Sequence, residues 1–65
     1  MNTIISQIGG IVKFHRDKSG LSRQQLATYA GVGATTIYEL ENGKPSIGLD
    51  TLQKILTVLN IQIEL

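Results

Sequence analysis

Residues Leu21 to Lys44 read LSRQQLATYAGVGATTIYELENGK, and the stretch is punctuated as two short helices joined by a tight turn. Ser22 is a natural N-cap, and Gln25 three residues later completes a capping box ahead of Leu26. The first of the two helices is predicted to run to about Ala30. Gly31 stops it, because glycine takes the left-handed conformation at no steric cost. The second is predicted over Ala34 to Glu41, closed by the turn pair Asn42-Gly43. Two helices with a glycine in a three- or four-residue turn make a helix-turn-helix unit. Such helices cross closely and need a small residue mid-way, which Ala27 supplies. Leu26, Ala30, Val32, Ile37 and Leu40 then form the buried seam.

Outward from this centre, apolar residues before it fall at Ile4, Ile5, Ile8, Ile11 and Val12, with His15, on one arc at 100° per residue. This predicts an amphipathic helix from Ile4 to Lys18, ended by Gly20. Gly9 and Gly10 weaken it by about 1 kcal/mol each against alanine, so tertiary packing must hold it. After the centre, Pro45 and Gly48 mark a loop. A fourth helix is predicted from about Leu49 to Leu59, burying Leu49, Leu52, Ile55, Leu56 and Leu59, with Asn60 as its left-handed terminator. Residues 61–65, Ile-Gln-Ile-Glu-Leu, alternate with period two and read as a strand.

Composition narrows the class of protein. Sixty-five residues make a single domain, here residues 1–65. A chain of this size buries only roughly 60% of the surface its unfolded form exposes, and is marginal without a brace. There is no cysteine and only one histidine, His15, which leaves neither disulfides nor a metal site as the brace. Tight helix packing or oligomerisation remains. No apolar run approaches the roughly 20 residues of a membrane span, and no secretory signal is visible. A cytoplasmic, membrane-free protein without cofactor or metal is the expectation. No nucleophile with a base, paired catalytic carboxylates or phosphate-binding glycine loop is present, so an enzyme is not expected. Six basic and five acidic residues leave a formal charge of +1, so a case for nucleic acid must rest on arrangement, not on bulk charge.

The ordered set Ala27, Gly31, Val32, Ile37, Leu40, Glu41, Asn42 and Gly43 resembles the Cro/CI-type (XRE-type) helix-turn-helix regulators of phages and bacteria. With Arg16 and the fourth helix included, the resemblance covers nearly the whole chain. It implies an all-α, lambda-repressor-like bundle of four to five short helices. It also implies a pairing of Arg16, late in the first helix, with Glu41. Ala34, Thr35, Tyr38, Glu39 and Asn42 are expected to project opposite Ile37 and Leu40 into the major groove, where each base pair shows a distinct edge pattern. The family's pattern gives base reading to Arg23 and the first turn of the third helix, and phosphate contacts to Gln24, Thr36, Asn42 and Lys44. Tyr38 either contacts the DNA backbone or lies on the surface. Gly33 stands where the family usually has a serine or threonine N-cap, and Ala34 where a long polar side chain is common. Direct readout is therefore expected to be sparse, with weight on symmetry and on DNA shape.

A lone strand needs a partner for its backbone groups. The simplest is the same strand of a second copy, in an antiparallel pair that buries Ile61, Ile63 and Leu65. A helix-turn-helix core followed by such a strand resembles the HipB-type antitoxins. That resemblance implies a homodimeric repressor that binds a palindromic operator in double-stranded DNA, silences its own operon and binds a HipA-like kinase toxin. Two other readings stand beside it: a free-standing phage-type or restriction-control regulator without a toxin, and an adaptor that keeps the fold but binds protein instead of DNA.

Overall fold

The computed structural model describes residues 3–43 and 47–61. It is built from four helices: α1 (Thr3–Lys18), α2 (Arg23–Ala30), α3 (Ala34–Glu41) and α4 (Leu49–Val58). No strand occurs among the described residues. Of the strand expected over 61–65 only Ile61 is described, so the tail, with Ile63 and Leu65, lies outside the described residues, as does Lys44.

Local chemistry sets where these helices begin and end. The Ser22 hydroxyl accepts from the Gln25 backbone N–H at 3.0 Å, and the Gln25 side chain accepts from the Ser22 N–H at 2.8 Å. This reciprocal box satisfies two backbone donors that α2 cannot pair internally. After Ala30 the chain turns left-handed at Gly31, φ 72°. The Gly31 N–H donates to the Thr28 carbonyl at 3.3 Å and the Val32 N–H to that of Ala27 at 3.0 Å. These two bonds close the helix and drop Val32 back onto the core. The end of α4 repeats the device without glycine: Asn60 takes φ 58°, and the Ile61 N–H donates to the Leu56 carbonyl at 2.9 Å. By contrast α3 starts at Gly33 with no side-chain cap, as its sequence implies.

All four helices meet around α2 and α3: α1 packs on α3, and α2 on both α3 and α4. Val12, Leu26, Ala27, Ile37, Leu40 and Ile55 are fully or almost fully buried, with Ala30, Leu52, Leu56 and Leu59 around them. The two inward residues of α3, Ile37 and Leu40, are thereby locked against α1 and α2, which fixes the outward face of that helix.

Two expectations of burial are corrected. On α1 only part of the apolar arc faces inward: Val12 is fully buried and Ile8 packs against the core, but Ile4 is 66% exposed and Ile11 46% exposed, and the inward line shifts toward Gly9 and Arg16. The cause lies at Gly9, where the α3 backbone comes so close that a side chain would overlap the Leu40 carbonyl oxygen. Only glycine admits that approach, and it brings the Gly9 and Arg16 side of the helix inward at the expense of Ile4 and Ile11. On α4, Leu49 is 82% exposed. It is the first residue of the helix, one turn before Leu52, and it overhangs the end of the core.

Candidate nucleic-acid interface

The outward face of α3 follows from its buried face. At 100° per residue, Thr35, Tyr38, Glu39 and Asn42 lie on the arc opposite Ile37 and Leu40. Thr35 and Asn42 are exposed, Tyr38 is half exposed, and Thr36 and Glu39 are half-buried. Ala34 departs from the expectation that it projects with them. It lies on the flank of the helix, half-buried against the core, so its methyl group has little reach toward a groove. Asn42 is partly spent on its own helix: its amide donates to the Tyr38 carbonyl at 2.8 Å, fixing the end of α3. Gln24 is exposed on the first turn of α2, next in sequence to Arg23.

Beneath this surface is a buried ionic network. Arg16 donates to both carboxylate oxygens of Glu41, from Nε to Oε2 at 2.6 Å and from Nη2 to Oε1 at 3.1 Å. Its Nη1 donates to the Leu21 carbonyl at 2.9 Å and lies 3.3 Å from the solvent-exposed carboxylate of Asp17. A two-point guanidinium–carboxylate pair has a defined geometry as well as charge. This pair ties the end of α1 to the loop before α2 and to the last turn of α3.

Glu41 has a second partner that the sequence reading missed. The Nε of Arg23 donates to Glu41 Oε1 at 3.0 Å, and the Arg23 guanidinium lies 5.1 Å from the centre of the Tyr38 ring. The side chain of Glu41 is 1% exposed and that of Arg23 41%. A residue read as facing bases is thus held at its root by the same carboxylate that anchors α1. A signal was present: Tyr38 and Glu41 are one turn apart on α3, so a cation that covers the ring can also reach the carboxylate. Burial alone would push the Glu41 carboxyl up. The hydrogen bonds and charges of Arg16 and Arg23 outweigh it and hold the carboxyl below the ordinary carboxylate range.

A family model described as helix-turn-helix matches residues 12–65, which span α2, the Gly31 turn and α3. The chain belongs to the helix-turn-helix family, of the Cro/CI type. Members of this family are DNA-binding transcriptional regulators. The chain is also 33% identical, over 60 residues, to the uncharacterized HTH-type transcriptional regulator y4mF of Sinorhizobium fredii (strain NBRC 101917 / NGR234); the match covers 92% of this chain and 79% of that protein. In this helix-turn-helix protein no three His, Cys, Asp or Glu side chains converge as metal ligands among the described residues. No helix among them is long and apolar enough to cross a membrane.

Proposed function

We propose that this protein is a sequence-specific, dimeric transcriptional repressor of the cytoplasm that silences its own operon as the antitoxin of a HipBA-like toxin–antitoxin pair. The observation that carries the repressor reading is the outward face of α3, locked by Ile37 and Leu40 behind it, with Thr35 and Asn42 exposed and Tyr38 half exposed. Thr35 sits at the start of that face and bonds a base edge or touches a thymine methyl. Glu39 accepts from a cytosine amine, while Gln24, Thr36, Asn42 and Lys44 grip phosphates. The test uses a duplex that the protein selects from a random-sequence pool and a shuffled duplex of equal length. Thr35→Ala is expected to cost about 1–3 kcal/mol on the selected duplex and much less on the shuffled one. Equal losses on the two, read by fluorescence anisotropy, would make Thr35 a backbone contact.

The antitoxin reading rests on the tail. A single recognition helix flanked by Gly33 and Ala34 offers few long polar side chains, so specificity needs two copies about 34 Å apart, reading both halves of a palindrome. Ile61, half-buried on the core, begins an alternation with Ile63 and Leu65 that gives a strand one apolar face. Deleting residues 62–65 is expected to yield a monomer with an intact helical core and sharply lower operator affinity. Sedimentation decides it. A truncated chain that still sediments as a dimer would move the interface to the groove between α2 and α4, which is lined by Tyr29, Lys54 and Val58, and would remove the ground for a HipA-like kinase partner.

A further inference from the structure

The turn that ends α3 holds the one Asn-Gly pair of the chain, Asn42-Gly43. The other asparagines, Asn2 and Asn60, precede the β-branched residues Thr3 and Ile61. An asparagine before glycine carries a nucleophile against its own side chain. The Gly43 nitrogen, having given its proton to solvent, adds to the Asn42 Cγ. A succinimide ring closes, the Cγ–Nδ2 bond breaks and Nδ2 leaves as ammonia. Water then opens the ring at either carbonyl, giving aspartate or its β-linked isomer. Glycine favours the step because no Cβ crowds the attacking nitrogen.

In the folded chain the reacting groups are turned apart and occupied. Asn42 has φ −97° and ψ 11°, which points the Gly43 nitrogen toward the backbone nitrogen of Asn42 and away from its Cβ. The Gly43 N–H donates to the Leu40 carbonyl at 3.1 Å, and the Asn42 amide to the Tyr38 carbonyl at 2.8 Å. Both acceptors belong to α3, which Ile37 and Leu40 hold from behind. The turn is also pinned by α1: Gly43 sits at φ 77°, and a Cβ there would come 2.9 Å from the Ser6 hydroxyl oxygen. Solvent is no obstacle, since Asn42 is exposed. We propose that Asn42-Gly43 is a self-modification site that the fold holds shut, released when the last turn of α3 opens, and that its product silences the outward face of α3. A carboxylate cannot donate as the amide does. It stands at the C-terminus of α3, where the helix dipole disfavours an anion, and next in sequence to Glu41. A chain that has spent time open thus returns to the fold with a negative charge where it would meet phosphates.

The gate stands apart from the reading of α2 and α3 as a duplex-binding unit, whereas the silencing rests on it, and the experiment separates the two. Wild-type protein is kept at mildly alkaline pH, folded and in unfolding urea, and its digests are followed by mass spectrometry. In urea Asn42 is expected to convert ahead of Asn2 and Asn60. In the fold its conversion should be slower by about tenfold or more, a factor set by how rarely the turn opens. The converted chain is then separated by ion exchange and refolded by dilution. It is titrated on the selected and shuffled duplexes beside the wild type, Asn42→Asp and the uncharged Asn42→Ser, below the lowest of their melting temperatures. The converted chain and Asn42→Asp should bind either duplex about tenfold more weakly than the wild type, and Asn42→Ser only about threefold. Equal conversion rates in urea and in the fold overturn the gate, and no conversion at Asn42 in urea overturns the site. Equal losses for Asn42→Asp and Asn42→Ser overturn the silencing. A wild-type chain that binds neither duplex overturns the duplex-binding reading and the silencing with it, while the mass spectra still decide the gate.

Discussion

Replacing Gly9 by alanine is expected to destabilise the fold by about 2 kcal/mol, although the same change in an open helix would stabilise it by about 1 kcal/mol. The sign reverses because of the neighbour. A Cβ on Gly9 would overlap the Leu40 carbonyl oxygen and stand 3.1 Å from its carbon and 3.3 Å from the Glu41 Cα. These are backbone atoms of a helix locked by its own buried residues, so they cannot turn aside as a flexible side chain would. Relief requires α1 to move off α3, which also pulls Arg16 away from Glu41. Gly10 is the internal control. Nothing lies within 4 Å of the position a Cβ would take there, and the residue is exposed. Gly10→Ala should therefore stabilise by up to about 1 kcal/mol. Thermal melts of the two variants, moving in opposite directions, establish the α1–α3 contact. Equal shifts would place the close approach elsewhere.

Removing the Glu41 carboxylate, as in Glu41→Ala, is expected to cost about 3–5 kcal/mol, because it strands the buried guanidinium of Arg16 and unties three elements at once. A domain of 65 residues has a total stability of only about 3–10 kcal/mol, so this variant loses a third or more of its margin against unfolding. The same bond gives a pH dependence whose sign follows from the direction of the shift. The folded carboxyl titrates below its unfolded value. Its contribution is therefore fully present above the ordinary carboxylate range and is lost as the pH falls through the lower, folded value. Urea midpoints of the wild type should decline on acidification through that range. Those of an Arg16→Met/Glu41→Leu variant, with no buried pair to discharge, should decline less. Parallel curves would remove Glu41 as the source of the acid sensitivity.

Much of this architecture is legible in the sequence, and the reason is locality. Ser22 with Gln25, Gly31 and Asn60 each act within a turn of their own position. The ends dictated for α2, at Arg23 and Ala30, are the ends the structure has, and the end expected for α4 at about Leu59 lies one residue beyond the observed Val58. The face of α3 was legible for the same reason, since Ile37 and Leu40 fix their opposite arc once the helix is granted. The Arg16–Glu41 pair was reached through resemblance to the family, because nothing local joins residues 25 apart.

Tertiary structure decided what depends on the distance between backbones. The rotation of α1, which exposes Ile4 and Ile11 and turns Arg16 inward, follows from the approach of Gly9 to Leu40. Hydropathy carries no trace of that approach, because glycine contributes no side chain to the pattern. Leu49 completes an apolar arc, yet burial requires that the core extend beneath that end of α4, and it does not. Arg23 shows the same division at the candidate interface. By sequence it is a cation at the start of a helix, to which the family resemblance gives base reading. Only the placement of α2 against α3 brings its Nε to a carboxylate already held by Arg16, and that contact leaves the terminal nitrogens of Arg23 for any other partner.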